Sequence, residues 1–248
     1  MNITGDTILI TGGGTGIGRA LAEALHARGA QVIITGRRED VLKDTVAANP
    51  GMAWATLDVA DAEAIPAFAA QLLKDHPGLN AVIHNAGIMK VEDLKAQPFD
   101  LATVDATIAT NLLGPIRLTA ALLPHLQAQP NATIMTVTSG LAFVPLAATP
   151  TYNATKAGLH SWTESLRHQL RDTAIEVLEL APPGVATDLM PGHAENPNSM
   201  PLADYTAEVI GLIERGDTPR GEILVERVKP LRFAEANGYA AVFEMLNG

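Results

Sequence analysis

Tyr152 and Lys156 are the two residues whose types and spacing first suggest chemistry. They stand four apart in TYNATKAGLH (151–160), a stretch without proline. On a helix, residues four apart lie on the same face, so a phenol and an ammonium would be neighbours. At about 4 Å and an effective dielectric of about 20, the ammonium attracts a phenolate by roughly 4 kcal/mol. That attraction would lower the tyrosine pKa by up to about three units, less whatever burial costs, and would favour proton transfer near neutral pH.

Three further residues are expected nearby, where strands of a sheet end. Ser139 directly follows the apolar stretch ATIMTVT (132–138), and Asn85 and Gly87 follow LNAVIH (79–84). Ligands bind at the carboxyl ends of parallel strands. A hydroxyl there can hydrogen-bond a substrate carbonyl oxygen, so Ser139 is a candidate partner of the tyrosine and lysine. Without such neighbours, a Tyr/Lys pair on a helix would more often be structural.

A glycine-rich turn follows the first apolar stretch, in TILITGGGTGIG (7–18). Gly12, Gly16 and Gly18 would allow a tight turn and let the backbone approach a pyrophosphate. The helix that follows would add free N–H groups and a dipole that favours an anion. The spacing differs from the usual G-x-G-x-x-G dinucleotide fingerprint. A glycine-rich turn that binds no ligand therefore stays open as an alternative here.

The end of the second apolar stretch, TGRRED (35–40), indicates the kind of dinucleotide. Dinucleotide-binding units often place an acidic residue there to bind ribose hydroxyls. Gly36 leaves that corner uncharged, and Arg37 and Arg38 follow it. A guanidinium forms paired, charge-assisted hydrogen bonds with a phosphate, which favours NADP(H) over NAD(H). The alternative is that the arginines only pair with Glu39 or Asp40 on a solvated turn.

The elements that must position these residues alternate between short apolar runs and longer helical patterns. The apolar runs are 7–11, 31–35, 52–57, 79–84, 132–138, 175–180 and 222–225. Continuous apolar strands separated by helices predict a parallel sheet with helices on both faces. With right-handed crossovers, we expect an α/β fold, a single Rossmann-type, doubly wound domain of about seven strands over 1–248.

Composition limits the partners. The formal net charge of −10 disfavours binding to a nucleic-acid backbone. There is no cysteine, and the seven histidines lack close ligand spacing, so we expect neither disulfides nor a metal site. No stretch approaches the roughly 20 apolar residues of a membrane span, and the N-terminus has no leader-like pattern. We therefore expect a soluble, cytoplasmic protein.

Taken in order, the motifs resemble the classical short-chain dehydrogenase/reductase family over nearly the whole chain. They are TGGGTGIG (11–18), LDV (57–59), NAG (85–87), Asn111, Ser139, Tyr152-x-x-x-Lys156, and PG (183–184) with Thr187. Each motif is weak by itself, whereas the ordered set is specific. Within the family, VTSGLAFVP (137–145) and ELAPPGVATDL (179–189) resemble the DltE-like branch.

The resemblance implies a role for each matching position. Tyr152 would be the general acid in carbonyl reduction and the base in alcohol oxidation. Lys156 would lower the pKa of Tyr152 and hold the nicotinamide ribose, while Ser139 would hydrogen-bond the reacting oxygen. Asn111 would position water in a proton relay. The implied cofactor contacts, besides the tyrosine and lysine, are Gly12, Gly14, Thr15, Gly16, Ile17, Gly18, Arg37, Arg38, Asp58, Val59, Asn85, Ala86, Gly87, Pro183, Gly184, Val185 and Thr187.

Some of these positions have simpler explanations. Asp58 and Asn111 could be helix caps, a common use of both residue types, and Thr187 could cap whatever follows it. His84 stands where the family usually has asparagine, and we expect it to be a core histidine with a hydrogen-bond partner.

The substrate is expected to meet a largely apolar surface. The segment 139–149 carries no charge, and 186–201, rich in Pro, Asn and Gly, predicts a mobile lid loop. His193 in that loop could touch substrate, although a surface histidine is the simpler interpretation. The candidate pocket residues are Leu141, Val144, Leu146, Leu189 and Met190. Some of these five could instead belong to the core or to a subunit interface.

Two segments suggest contact with a second subunit. The stretch 114–127 is apolar almost all round, and a helix of that type needs cover on both sides. The resemblance implies a homodimer or homotetramer built on this helix and the Tyr/Lys helix. The tail, 226–248, predicts a partly helical, amphipathic segment that docks on this subunit or on a neighbour.

The leading hypothesis is an NADP(H)-dependent oxidoreductase that interconverts a ketone or aldehyde and an alcohol, with NAD(H) as the alternative cofactor. Sugar-nucleotide epimerases and dehydratases reuse the Tyr/Lys chemistry, but they usually carry a longer substrate domain than 248 residues allow. Cofactor-sensing proteins without turnover often lose a catalytic residue, whereas all four positions are filled here.

Overall fold

Seven parallel strands form one sheet in the computed structural model, which describes residues 1, 3–192 and 194–248. The sheet order is β3-β2-β1-β4-β5-β6-β7. The order reverses between β1 and β4, which leaves a crevice at their carboxyl ends. The strands are β1 (Thr7–Thr11), β2 (Gln31–Gly36), β3 (Ala53–Thr56), β4 (Leu79–His84), β5 (Ala132–Val137), β6 (Ile175–Leu180) and β7 (Glu222–Ile223).

Helices connect the strands and cover both faces of the sheet. Short connections of this kind between parallel strands are typical of α/β folds. The helices are α1 (Gly16–His26), α2 (Glu39–Ala48), α3 (Ala64–Asp75), α4 (Leu101–Ile108), α5 (Gly114–Gln127), α6 (Pro150–Gln169), α7 (Leu202–Arg215), α8 (Lys229–Arg232), α9 (Ala234–Asn237) and α10 (Tyr239–Asn247).

Alternate residues of the central strands serve two hydrophobic cores. In β1, Ile8 and Ile10 join a core with residues of α1, α2 and α7, whereas Leu9 joins a core with residues of α3 and α5. Successive side chains of a strand point to opposite faces. The strands are therefore apolar throughout because both faces are covered. This arrangement confirms the predicted single-domain, doubly wound α/β fold.

The helical segment between β4 and β5 is divided. A π-helical turn, Ala109–Leu113, joins α4 to α5. At Gly114, the first residue of α5, an added Cβ would lie 2.8 Å from the Val59 carbonyl oxygen. A π turn inserts an extra residue into a helix and occurs often at functional sites. Here it coincides with a close approach of α5 to the segment after β3 and directs Asn111 into the interior.

Other predicted boundaries differ slightly from the structure. The sequence predicts a strand over 222–225, but β7 contains only Glu222 and Ile223. The next two residues are buried yet leave the sheet, because the chain turns there into the tail. An apolar run alone does not distinguish a strand from a buried connection.

The continuous segment Leu101–Gln127 is long and apolar enough to cross a membrane by length and composition, contrary to the expectation from sequence. In the fold, Leu118, Leu122 and Leu126 are buried in the core beside the sheet, and α5 also packs on α3. A core helix meets the same criteria as a membrane span. Packing within the domain therefore accounts for the apolar inner side of this segment, whereas Leu101 at its start is exposed.

Two segments follow β6 and β7. Residues 186–192 and 194–201 form turns closed at their base, where the Met200 amide donates to the Gly184 carbonyl over 2.7 Å. The tail, 226–248, begins with a 3-10 turn and continues through α8, α9 and α10. It returns to the segment that follows β5, as described below.

Candidate active site

A cavity of about 640 Å³ lies at the crevice between the carboxyl ends of the strands. The glycine turn and the corner after β2 line one part of it, and Ser139, Tyr152 and Lys156 line another. This volume lies within the range of small-molecule and cofactor sites. The fold therefore brings the glycine turn and the candidate residues for proton transfer to one cavity.

The glycine turn packs directly on the NAG segment after β4. Gly12 has a φ of +67°, and an added Cβ would lie 2.9 Å from the Ala86 Cα atom. At Gly18 an added Cβ would lie 2.3 Å from both the Asn85 Nδ2 atom and the Gly12 carbonyl oxygen. Gly18 lies outside the cavity lining. Its place is explained by close packing of α1 rather than by the cofactor contact that the sequence predicted.

Thr11, at the end of β1, fixes the NAG segment. Its hydroxyl accepts hydrogen bonds of 3.0 Å from the amides of Asn85 and Ala86, and the Asn85 side chain donates to the Thr11 carbonyl over 3.0 Å. The two strand ends are thus joined across the crevice. The backbone that lines the cavity is set before any ligand binds.

The corner after β2 carries two arginines with weak partners. The Arg37 Nη1 atom lies 3.9 Å from the Asp58 Oδ2 atom, and both side chains are largely exposed. The Arg38 Nη2 atom donates to the Thr15 hydroxyl over 3.4 Å. Exposed ion pairs contribute roughly 0–1 kcal/mol. Neither arginine has a recorded pairing with Glu39 or Asp40, and both line the cavity.

Asp58 also has a local structural role. One of its carboxylate oxygens accepts a hydrogen bond of 3.0 Å from the Ala60 amide, which closes a local turn. The next helix, α3, begins only at Ala64, so Asp58 is not the helix cap of the simpler explanation. Its other oxygen faces Arg37, and Asp58 lines the cavity.

Tyr152 is buried in α6, with its side chain at the cavity. Burial raises the pKa of its phenol to about 12, and a hydrogen bond with Ser139 offsets part of that rise. The phenol is therefore neutral throughout the physiological pH range. A neutral phenol is a proton donor, which suits the first step of a carbonyl reduction.

Lys156 is buried one helical turn further along α6. Its Nζ atom donates to the Val137 carbonyl over 2.7 Å and lies 5.6 Å from the centre of the Tyr152 ring. Burial lowers its pKa to about 8. In the protein without cofactor the pKa of Tyr152 is therefore raised rather than lowered, because burial disfavours the phenolate. That the lysine offsets this rise during the reaction stays a prediction.

Asn111 lies in the π-helical turn and is fully buried. Its Oδ1 atom accepts from the Ile88 amide and its Nδ2 atom donates to the Ile88 carbonyl, both over 2.9 Å. An added Cβ at Gly87 would lie 3.4 Å from Asn111 Oδ1 and 3.7 Å from Lys156 Nζ. Asn111 thus holds the segment after the NAG motif next to the lysine, although it does not itself line the cavity.

A buried polar cluster that the sequence did not suggest lies next to these residues. The Glu179 carboxylate, in β6, accepts from the Thr138 hydroxyl over 2.6 Å and contacts the His160 Nδ1 atom at 2.8 Å. The hydrogen bond to Glu179 is the main cause of a raised pKa at His160. Thr138 precedes Ser139, and His160 lies one turn beyond Lys156. The carboxylate therefore joins the strand end and the helix that carry the catalytic candidates.

The short chain dehydrogenase family profile matches residues 6–198 of this chain. The protein is a short-chain dehydrogenase. It is 41% identical to the oxidoreductase DltE of Bacillus subtilis (strain 168), over all of this chain and 98% of that protein. This confirms the classical family and its DltE-like branch, and makes the protein an NAD(P)-dependent oxidoreductase.

Solved structures share the fold of this dehydrogenase. A short-chain dehydrogenase from Burkholderia cenocepacia J2315, in complex with NADP, has a TM-score of 0.84 at 24% identity over 99% of both chains. One from Burkholderia phymatum, in complex with NAD, has a TM-score of 0.81 at 21% identity, covering 100% of this chain and 97% of that one. Both cofactors thus occur on this fold, which leaves the preference of this chain to its own residues.

Most of the cofactor residues expected in this dehydrogenase lie at the cavity. Gly184, like Gly18, is absent from the lining. Those that line it are Gly12, Gly14, Thr15, Gly16, Ile17, Arg37, Arg38, Asp58, Val59, Asn85, Ala86, Gly87, Tyr152, Lys156, Pro183, Val185 and Thr187.

The expected substrate pocket is mostly elsewhere. Of its five residues only Leu189 lines the cavity; Leu141, Leu146 and Met190 do not, and Val144 is completely buried. The segment 139–149 turns away from the cavity after Ser139. The sequence showed that this segment is uncharged, but it could not show which way the side chains point.

Residues just after the NAG motif line the cavity in place of the expected pocket residues. Ile88, Met89 and Lys90 line the cavity of this dehydrogenase. Their position after a strand that ends at the crevice was the available signal. Lys90 introduces a positive charge into a surface that was expected to be apolar.

Two histidines, His84 and His193, were also given predicted roles. The His84 Nε2 atom is 2.8 Å from the Thr119 hydroxyl, and burial lowers the pKa of His84 to about 3, which confirms a neutral core histidine with a partner. His193 lies outside the described residues. Among the residues that the structure describes, no three His, Cys, Asp or Glu side chains are grouped as metal ligands.

Proposed function

We propose that this dehydrogenase interconverts a ketone or aldehyde and an alcohol with NADP(H), using Tyr152 as general acid and base. The observation that supports this best is the shared cavity, lined at once by the glycine turn and by Ser139, Tyr152 and Lys156. The proposal includes a cytoplasmic location and a homo-oligomer, whose test is given in the Discussion.

The residues around the glycine turn suit a dinucleotide. Gly14, Thr15 and Gly16 line the cavity at the start of α1, where free N–H groups and the helix dipole favour a phosphate. Thr35 also lies at the cavity, and its buried hydroxyl has no hydrogen-bond partner within the described residues. A buried polar atom of this kind commonly pairs with a ligand or water. When bound, the reduced nicotinamide supplies the hydride.

The side chains then handle the proton. During reduction, the neutral Tyr152 phenol donates its proton to the carbonyl oxygen, which the Ser139 hydroxyl holds by a hydrogen bond. Lys156 Nζ, near the tyrosine ring, stabilises the phenolate that remains. Asn111 keeps the Ile88 segment in place beside the lysine. Alcohol oxidation runs through the same contacts in reverse, with the phenolate as base.

Turnover is tested with NADPH, NADP and a panel of 2-butanone, cyclohexanone, acetophenone, benzaldehyde and their alcohols. We expect a change in absorbance at the reduced-nicotinamide band with at least one pair. Tight cofactor binding without turnover on any panel member would favour the cofactor-sensing alternative and overturn the proposed reaction.

The cofactor preference rests on the corner after β2. Because Arg37 and Arg38 have only weak partners, both are available to a phosphate on the adenine ribose. A hydrogen bond to a charged group is worth about 1.5–3 kcal/mol, or roughly tenfold to a hundredfold in affinity. We therefore expect NADPH to bind at least about tenfold tighter than NADH, less so at high salt because the corner is exposed.

The preference is measured by fluorescence titration of both reduced cofactors. Replacing Gly36 with Asp and Arg37 with Ser should reverse it. Arg171→Ser, which removes an exposed arginine beside Asp172, is the matched control and should leave both affinities unchanged. Equal affinities in the wild type would mean that Arg37 and Arg38 are only surface charges.

A further inference from the structure

The tail, 226–248, lies beyond the part of the chain that the family profile matches. It nevertheless contacts the segment that directly follows Ser139. This segment, 140–147, is called here the Ser139 loop. The contacts of the tail with the loop fall at both ends and in the middle, so the tail determines the path of the loop.

The first contact lies immediately after Ser139. An added Cβ at Gly140 would lie 2.6 Å from the Leu231 Cδ1 atom and 3.0 Å from the Val228 Cγ2 atom. Val228 is completely buried. The tail therefore presses on the residue next to the serine and leaves no room for a side chain there.

The second contact is made through Arg232. Its guanidinium lies over the Phe143 ring at 4.7 Å. The Nη2 and Nε atoms of Arg232 donate to the buried Glu222 carboxylate over 2.7 and 3.1 Å. Phe143 also packs edge-on against His160, with 4.9 Å between ring centroids. The middle of the loop is thus held between the tail and α6.

The third contact is a two-point clamp by Asn247, in α10. Its Nδ2 atom donates to the Pro145 carbonyl over 3.1 Å, and its Oδ1 atom accepts from the Ala147 amide over 2.6 Å. The same Nδ2 atom donates to the Phe243 carbonyl over 2.9 Å, which fixes the side chain on its own helix. One amide side chain thereby satisfies two backbone groups of the far end of the loop.

We propose that the tail, although it does not line the cavity, influences which carbonyl the site accepts by holding the Ser139 loop, with Asn247 and Arg232 as positioning residues for Ser139. This rests on the proposed function, since Ser139 is the group expected to hold the reacting oxygen. A loop freed from the tail would let that hydroxyl shift relative to Tyr152. A misplacement of 1 Å can cost about 100-fold in rate.

Asn247→Ala is the test variant, because Asn247 is half-buried and uncharged, so its loss leaves no buried charge. Arg232 is unsuitable, since its removal would leave Glu222 buried without its partner. Asn247→Asp retains the oxygen that accepts from Ala147 and loses the donor to Pro145, so it should be intermediate. Asn237→Ala, an exposed position in the same tail, is the matched control.

Hydrogen exchange tests, independently of activity, whether Asn247 protects the Ala147 amide. In Asn247→Ala the Ala147 amide should exchange at least about tenfold faster than in the wild type, with Asn237→Ala unchanged. Steady-state kinetics with 2-butanone and acetophenone measure the effect of the variant on catalysis. We expect kcat/KM to fall by about tenfold or more and the ratio between the two ketones to change, while the dissociation constant of NADPH stays within about twofold.

The outcomes separate the two proposals. Unchanged exchange at Ala147, or faster exchange with unchanged kinetics on both ketones, overturns the role of the tail while the proposed function stands. An equal loss of cofactor affinity would show general destabilisation instead and overturns it as well. A wild type that converts no carbonyl or alcohol of the panel overturns the proposed function, and this inference with it.

Discussion

At the scale of single residues, burial of Tyr152 favours the neutral phenol in the protein without cofactor. The phenol has a pKa near 12 and is neutral, so it can donate a proton without prior titration. The reverse direction requires a phenolate, which burial disfavours. The hydrogen bond with Ser139 offsets part of this cost, and the Lys156 ammonium lies 5.6 Å from the centre of the Tyr152 ring.

Replacing Tyr152 with Phe removes the acid and keeps the ring. General acid–base groups contribute about 10²–10⁴-fold to rate, so we expect kcat to fall by that factor. The NADPH dissociation constant should change little, because the ring continues to fill its place. Single-turnover absorbance and fluorescence titration measure the two quantities. Wild-type kcat on a substrate whose chemistry is rate-limiting would contradict the assignment.

Lys156 predicts a pH dependence of stability. Its pKa falls from 10.5 unfolded to about 8 folded, so the unfolded chain binds more protons between these values. Stability therefore rises with pH across that window. Relative to Lys156→Met, the wild type should gain up to about 3 kcal/mol between pH 7 and pH 10.

Urea unfolding at several pH values measures this difference. Lys74→Met, which removes an exposed lysine, should give a curve parallel to that of the wild type. Parallel curves for Lys156→Met as well would show that the buried ammonium is not desolvated as the fold suggests.

Single residues also show what the sequence could not reveal. Ser139, Tyr152 and Lys156 were predicted as candidates from type, spacing and order, and the fold brings them to one cavity. Val144 and Leu146 were expected in the pocket, but the loop turns them away from it. Side-chain direction in an irregular loop depends on contacts with distant parts of the chain, here the tail.

At the scale of elements, the N-terminus of α1 is held against the end of β4. The Gly18 position has no space for a Cβ, because Asn85 and the Gly12 carbonyl occupy it. Helix type and strand type were predictable here from apolar spacing and from the glycine turn. The division of α4 from α5 was not, because a π turn leaves no distinct pattern in the sequence.

Gly18→Ala tests this contact. Overpacking typically costs about 1–3 kcal/mol, and here it would also push the glycine turn away from the NAG segment. We expect lower stability and weaker NADPH binding. Gly211→Ala is the matched control, because Gly211 is also helical and its added Cβ would meet only the mobile end of Arg215, at 3.0 Å.

In the control, alanine should leave stability equal or raise it by up to about 1 kcal/mol through helix propensity. Thermal unfolding and fluorescence titration provide both readouts. If the two variants behave alike, the result would contradict the close packing at Gly18.

At the scale of the whole molecule, large apolar side chains are exposed in the loop before α4 and at its first residue. Val91 is 70% exposed, Leu94 62% and Leu101 63%. Contiguous exposed apolar surface commonly marks an interface. These side chains agree with the homo-oligomer expected from the apolar helix 114–127, whose inner side is already covered by the sheet.

Light scattering at micromolar protein should therefore give a mass of at least twice the 26.1 kDa of one chain. Leu101→Glu places a charge among these side chains and should shift the population toward monomer, with Lys74→Glu as a control on an exposed helical position away from them. A wild type that stays at the monomer mass would contradict the oligomer.

The two edge strands have a consequence for aggregation. β7 offers two residues and β3 four, so at about 3.3 Å per residue neither native edge exposes more than roughly 13 Å of backbone to a pairing chain. Long, open edges are the usual templates for sheet-to-sheet association. The long apolar strands β1, β4 and β5 lie inside the sheet, where only unfolding exposes them. Aggregation of this protein on heating should therefore follow the unfolded population, and a ligand that delays unfolding should delay aggregation by the same interval of temperature.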